Sequence, residues 1–236
     1  MKRLHILYTL LFIWLLPVTS NGQPAGKEKL RVISYNIWNG FEHDASRRAN
    51  FINWIKGQQP DILAMTELVG FTEKDLGQLA SEYGHKYYAI VKEEGYPVGI
   101  TSNEPITVVK KQMEGFWHGM LHVKTHGLDM IVTHLSPHDW KFRLKEAQML
   151  TSYIQDNQLD NCMVMGDFNA YSPFDADWVE THAQLIENMQ KWDAEQETYR
   201  NMRDGRFDYS VLSKFLSIGL TDICRLYVPA DKRTTY

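Results

Sequence analysis

Cysteine is scarce: Cys162 and Cys224 are the only two in 236 residues. That excludes a small disulfide scaffold and a multi-thiolate zinc site, both of which need a denser set. An excess of positive charge is missing as well. With 25 Lys and Arg against 29 Asp and Glu, the formal charge is −4, so the chain lacks the electrostatic footprint of a protein that coats nucleic acid. A nuclease, which meets nucleic acid only as substrate, stays open. There is no His-Glu-x-x-His helix, no Gly-x-Ser-x-Gly nucleophile turn and no Walker loop, which removes the commonest zinc, serine and P-loop hydrolases. Beyond residue 29 there is also no linker, repeat or low-complexity tract, so the remainder reads as one domain.

Apolar stretches are short as well. The longest, residues 4–16, falls below the roughly 20 residues of a membrane span. It follows Lys2 and Arg3 and precedes Pro17, Val18, Thr19, Ser20, Asn21 and Gly22, the basic, apolar and small-residue order of a secretory signal. The expected division is a signal peptide over 1–22, a polar spacer over 23–29 and the domain over 30–236. Export to the periplasm or the extracellular space is expected, with no stable membrane insertion once the signal is cleaved; the alternative is an uncleaved N-terminal anchor. In such a compartment Cys162 and Cys224 could pair, or Cys162 could be a small buried hydrophobe opening the run Cys162-Met163-Val164-Met165.

What is present is ample material for a core, with 44% hydrophobic and 12% aromatic residues. Short runs rich in β-branched and aromatic residues predict strands at 30–37, 62–65, 87–91, 106–109, 120–123, 128–133 and 162–165. Three helices fit between them. Asp44 caps one that runs through Ala49, Ile52 and Ile55 and stops at Gly57; Thr72 and Asp75 form a capping box ahead of Leu76, Leu79, Ala80 and Tyr83; the longest covers 139–155, with Leu144, Ala147, Leu150 and Ile154 on its buried face. Strands joined mostly by hairpins and loops, with few helices, predict a layered α+β sandwich.

Four of these runs end on polar residues: Ser34-Tyr35-Asn36, Met65-Thr66-Glu67, Val132-Thr133-His134 and Met165-Gly166-Asp167-Phe168-Asn169. Carboxylates and amides at the end of a buried strand are costly without partners, so their convergence on one site explains them together. Asp167 and Asn169, two apart, face the same way on an extended chain, or else form an Asx turn. Oxygen donors of this kind suit a hard cation such as Mg²⁺, Mn²⁺ or Ca²⁺. Trp38, Phe41, Trp117, Trp140, Phe168 and Tyr171 lie near the motif ends and either line a pocket or fill the core.

Taken in order, the fragments Arg31-Val32-Ile33-Ser34-Tyr35-Asn36-Ile37, Pro60-Asp61-Ile62-Leu63-Ala64-Met65-Thr66-Glu67, Gly99-Ile100-Thr101-Ser102, Thr133-His134-Leu135, Gly166-Asp167-Phe168-Asn169 and Gly219-Leu220-Thr221-Asp222 resemble the endonuclease/exonuclease/phosphatase superfamily. These are metal-dependent phosphoesterases that include DNase I-like nucleases, inositol-phosphate phosphatases and bacterial sphingomyelinases. The resemblance implies a four-layer α/β/β/α sandwich. It implies that Glu67, assisted by Asn36, holds a divalent cation and that Asp167 positions or deprotonates the attacking water. Asn169 would orient the phosphate and Asp167, and His134 would serve the leaving-group side. His118 stands where family members carry a basic phosphate contact; its alternative is a strand residue with a water-exposed ring. A monomer acting on a phosphate ester is expected, with nucleic acid, sugar or inositol phosphates and phospholipid head groups as the substrate classes.

The pattern also departs from the family. An Arg-x-Asp-Tyr strand and a Ser-Asp-His motif are expected after Gly219-Leu220-Thr221-Asp222, and neither occurs before Tyr236. The fold is therefore expected to lack its last strands. Arg206-Phe207-Asp208-Tyr209 comes too early and reads as a helix or loop segment. Besides an exported metal-dependent phosphoesterase, the sequence thus admits a catalytically impaired or noncatalytic remnant of the same fold.

Overall fold

The computed structural model describes residues 29–229 and 232. The expected signal peptide and all but the last residue of the expected spacer lie outside them. Among the described residues no helix is long and apolar enough to cross a membrane.

The elements run β1 (Val32–Asn36), α1 (Trp38–Phe41), α2 (Ala45–Gln58), β2 (Ile62–Thr66), α3 (Glu73–Glu82), β3 (Tyr87–Ile90), β4 (Gly99–Ser102), β5 (Thr107–Gln112), β6 (Met120–Thr125), β7 (Leu128–His134), α4 (Trp140–Asp156), β8 (Cys162–Asp167), a 3₁₀ turn (Pro173–Asp175), α5 (Ala176–Glu180), α6 (Ala183–Ala194), β9 (Met202–Arg203), β10 (Arg206–Phe207), α7 (Ser210–Leu216) and α8 (Ile223–Tyr227). Two four-stranded sheets form, in the orders β1-β2-β4-β3 and β5-β6-β7-β8.

Side-chain alternation sorts the strands into layers. On β2, Ile62 and Ala64 join Met130 and Val132 of β7 in the core between the sheets, while Leu63 and Met65 meet Phe51, Ile55, Leu76 and Leu79 of α2 and α3. On β7, Ile131 turns the other way, onto Ala147, Leu150 and Ile154 of α4 and Val211 and Phe215 of α7. The result is the α/β/β/α sandwich, with helices covering both outer faces.

The first two helices start where their caps predict, and the third is capped by Asp139, the first residue of its expected range. Asp44 accepts from the backbone N–H of Ser46 and Arg47, Thr72 and Asp75 close a capping box, and Asp139 accepts from Phe142 N–H at 2.9 Å. Two details differ. α2 runs past Gly57 to Gln58 and ends on Gln59, whose left-handed conformation (φ 49°) sends its N–H back to Ile55; Ala49 faces water. On α4 two charged residues, Arg143 and Glu146, share the buried stripe with Ala147, Leu150 and Ile154. Replacing Asp139 by Ala leaves the Phe142 N–H without its cap and is expected to lower stability by about 1 kcal/mol in urea titration.

Arg206-Phe207-Asp208-Tyr209 is also not what its order suggested. Arg206–Phe207 pairs antiparallel with Met202–Arg203 as a small hairpin, and Tyr209 immediately precedes α7. Phe207 anchors the hairpin on Val179 and Met202, which the sequence pattern of so short a pair does not announce. Cys162 and Cys224 are both free thiols, Cys162 half-buried in β8 and Cys224 exposed on α8.

Candidate active site

Each sheet contains one parallel pair, β1 with β2 and β7 with β8, and the sheets are packed so that these pairs approach one another. Parallel neighbours end at the same edge. Asn36 is in register with Thr66, the residue before Glu67, and His134 is in register with Asp167. Four strand ends from two sheets therefore deliver the polar residues to one place.

Asn36 is the connector. Its Nδ2 donates to Glu67 Oε1 at 2.9 Å and to Asp167 Oδ2 at 3.1 Å, joining a carboxylate from each sheet. Its Oδ1 accepts from Trp38 N–H at 2.8 Å, and Glu67 Oε2 accepts from Asn39 N–H at 2.8 Å. These bonds hold an unusual backbone: every residue from Trp38 to His43 has positive φ, between 49° and 65°. α1 is thus a left-handed turn, a conformation that costs non-glycine residues about 1–2 kcal/mol each and persists where surrounding bonds impose it. Gly40 is required there, because a Cβ would lie 2.1 Å from Val69 O.

Asp167 Oδ1 accepts from Asn169 N–H at 3.0 Å, with Asn169 itself left-handed (φ 47°). The pair is an Asx turn, so the extended same-face geometry does not apply. Asn169 instead donates its side-chain N–H to Leu135 O at 2.9 Å, tying the end of β8 to the end of β7. Gly166 makes this closeness feasible: its φ is 129°, and a Cβ would lie 1.8 Å from Thr133 O.

His134 Nε2 lies 3.9 Å from Asp167 Oδ2, and its ring stacks on that of His118 with centroids 4.3 Å apart. Among the described residues, His134 Nδ1, His118 Nε2 and Thr66 Oγ1 are buried with no hydrogen-bond partner. Burial lowers the pKa of His134, against the pull of Asp167 and Glu67, and burial together with the adjacent His134 ring lowers that of His118 to about 3. Both imidazoles are therefore neutral at pH 7. His118 precedes β6 and is 5% exposed, so it is neither a water-facing strand residue nor a cationic phosphate contact.

A cleft of about 560 Å³ opens over Asn36, Thr66, Asp167 and Asn169, walled by Tyr35 and Tyr171. Beyond Asn36, a second hollow of about 550 Å³ is lined by the exposed rings of Tyr35, Trp38 and Trp54. The other aromatic candidates divide. Phe168 and Tyr171 line the cleft, Phe41 is core, Trp117 packs on Phe142, Tyr199 and His138, and Trp140 lies beneath Arg203.

The donor chemistry fits a hard cation. Glu67 and Asp167 offer carboxylate oxygens held close together by a shared amide, while no thiolate is near. Among the described residues no group of three or more His, Cys, Asp and Glu assembles as a metal cage. That arrangement suits an ion of the Mg²⁺ type, held by one or two carboxylates and completed by water and substrate oxygens.

Two buried charges belong to this region and were not singled out from the sequence. Glu146 accepts from Trp117 N–H and Ser136 N–H, both at 2.8 Å, and Arg143 donates to Ser136 O at 2.9 Å and to Asn201 Oδ1 at 2.6 Å. Their signal was their placement on the apolar stripe of α4.

Two packed sheets with such a set at their shared edge define the DNase I-like phosphoesterase fold. The match of residues 33–215 to the Endonuclease/Exonuclease/phosphatase family model places the chain in that family. The fold is similar to that of a 3′-5′ exonuclease, NExo, from Neisseria meningitidis (TM-score 0.59, 20% identity, covering 84% of this chain and 75% of that one). It is also similar to an AP endonuclease from Archaeoglobus fulgidus (TM-score 0.57, 21% identity, covering 84% and 74%). No curated protein matches the chain.

Proposed function

We propose that this protein is an exported, divalent-metal-dependent phosphoesterase that hydrolyses a phosphodiester or phosphomonoester. The observation that carries the reading is the Asn36 amide bonded to both Glu67 and Asp167, with the neutral His134 beside them. Glu67, oriented by Asn36, would hold the cation, Mg²⁺ with Mn²⁺ or Ca²⁺ as alternatives. When bound, such an ion neutralises charge on the nonbridging phosphate oxygens.

The rest is done by the chain. Asp167, steadied by the Asn36 amide and the Asn169 N–H, accepts a proton from the attacking water. Asn169 keeps the ends of β7 and β8 together, so Asp167 and His134 hold their spacing. His134, neutral, donates one ring N–H toward the leaving oxygen. The exposed rings of Tyr35, Trp38 and Trp54 give the organic part of the substrate an apolar face next to Asn36.

The substrate classes are nucleic acid, sugar or inositol phosphates and phospholipid head groups. One solved structure of similar fold is a Neisseria 3′ phosphatase bound to a product DNA hairpin (TM-score 0.59, 19% identity, covering 85% of this chain and 76% of that one), which puts a 3′-phosphorylated DNA end first in line for testing. The net charge of −4 argues for a short contact with nucleic acid over a long one.

The test is hydrolysis of bis-p-nitrophenyl phosphate and p-nitrophenyl phosphate by the purified chain, with Mg²⁺ or Mn²⁺ against EDTA. Turnover abolished by EDTA is expected, and the better substrate separates diesterase from monoesterase. Glu67→Gln should raise the half-activating metal concentration by about 10–100-fold or more. Absence of turnover from folded protein would favour the noncatalytic reading.

A further inference from the structure

We propose that Glu146 is a positioning residue that sets the two histidine-bearing segments, one entering β6 and one at the end of β7, in the relation that phosphoester hydrolysis needs. The inference rests on the phosphoesterase reading for its kinetic consequence and on geometry for its premise.

The geometry begins with β6 and β7. They pair antiparallel with Met120 opposite Thr133, so the chain entering β6 and the chain leaving β7 lie side by side. Those stretches carry His118 and His134, whose rings stack. The stretch that ends at His134 is tied to β8 by the Leu135 N–H, which donates to Asp167 O at 2.9 Å. Both stretches are held from the helix layer: one oxygen of Glu146 takes the N–H of Trp117, next to His118, and the other takes the N–H of Ser136, two residues after His134. One turn earlier on α4, Arg143 takes the carbonyl of the same Ser136. Ser136 is thus gripped at both backbone groups, and Arg143 continues to Asn201.

Glu146 is 0% exposed. An ionised carboxylate in such a place is costly, and a leucine would serve packing alone better. What a leucine cannot do is accept two backbone N–H groups from two segments. Among the described residues, the charged group facing it is Arg143 on its own helix; the loops packed against it present backbone N–H groups.

Only the ionised form offers two acceptor oxygens. A protonated carboxyl presents an O–H to one of the two N–H groups and releases it. Burial pushes the Glu146 pKa up to about 7, against the pull of the two N–H groups and Arg143. The two-sided grip is therefore complete well above pH 7, present in half the molecules at about pH 7, and reduced to one N–H well below it. Stability follows the opposite sign. Because the folded-state pKa lies above the ordinary 4.5, the fold binds the proton more tightly than the unfolded chain, and stability falls as pH rises from 4.5 to about 7.

The experiment compares the full chain with Glu146→Gln and Glu146→Ala. It measures kcat and KM for bis-p-nitrophenyl phosphate between pH 5.5 and 8.5, Tm over the same range, and the ring resonances of His118 and His134 by NMR. Glutamine retains one acceptor and turns an NH₂ toward the other N–H. Glu146→Gln is expected to lower kcat at pH 8 by about 10–100-fold with KM little changed, because misplacement of a reacting group by about 1 Å has that effect. It should also lose the activity limb near pH 7, hold a Tm at pH 8 no lower than wild type, and shift both histidine resonances. Wild-type kcat and pH profile in Glu146→Gln would overturn the proposal, as would a kcat loss in step with unfolding. Should the wild-type chain show no metal-dependent turnover, the phosphoesterase reading fails on its own, and the resonances decide: unmoved rings in both folded variants refute positioning by Glu146.

Discussion

Asp167→Ala is expected to lower metal-dependent turnover of bis-p-nitrophenyl phosphate by about 10²–10⁴-fold, the usual contribution of a positioned acid-base group. The fold should survive the change. The Asp167 side chain is partly open to the cleft, and the Asn36 amide keeps its bond to Glu67 when the Asp167 carboxylate is removed. Activity and thermal unfolding measured on one preparation therefore separate. A variant with unchanged Tm and turnover at the level of the metal-only blank fits the role; unchanged turnover would remove Asp167 from the reaction. Asp167→Asn sharpens the comparison, since it keeps the shape and loses the basic oxygen pair.

Gly166→Ala is expected to act on the fold instead, with a loss of about 3 kcal/mol or more, in the range reserved for backbone strain combined with a clash. At Gly166 both operate: φ is 129°, and the added carbon would sit 1.8 Å from Thr133 O on the neighbouring parallel strand. Neither atom belongs to a side chain that can swing aside. For a domain of this size the corresponding fall in Tm is about 6–12 °C. Thermal unfolding by circular dichroism checks it, and a shift under 2 °C would contradict the close approach of β7 and β8. Catalysis by the residual folded fraction should drop too, because separating these strands moves His134 away from Asp167.

The two substitutions mark where sequence reading succeeds. Strands such as Ile62–Thr66 and Leu128–His134 announce themselves through apolar runs, and Asp44 and Thr72 announce helices, because these signals act between residues near in sequence. The polar strand ends were legible for the same reason. What escaped depends on partners far along the chain. The left-handed course of residues 38–43 follows from bonds to Glu67, not from any preference of Trp38 or Phe41. Asp167 and Asn169 read as either an extended pair or an Asx turn, and the choice between them, made with the Asn169 side chain on the Leu135 carbonyl, was not legible locally. Glu146 and Arg143 read as ordinary helix charges, since their partners Ser136, Trp117 and Asn201 lie in other loops. His118 was legible as a position but not as a neutral ring, because its burial and the His134 ring packed against it, which lower its pKa, come from distant parts of the chain.

Asn36 and Glu67 belong to one sheet, His134 and Asp167 to the other, and the core between them is Ile62, Ala64, Leu121, Val123, Met130 and Val132. Neither half of the chain owns a complete reaction centre. A collapsed state with both sheets hydrogen-bonded internally but not yet docked would give a native-like far-ultraviolet spectrum and no chemistry. Turnover thus reports on the dry seam between the sheets, and during refolding it would be the last property to return.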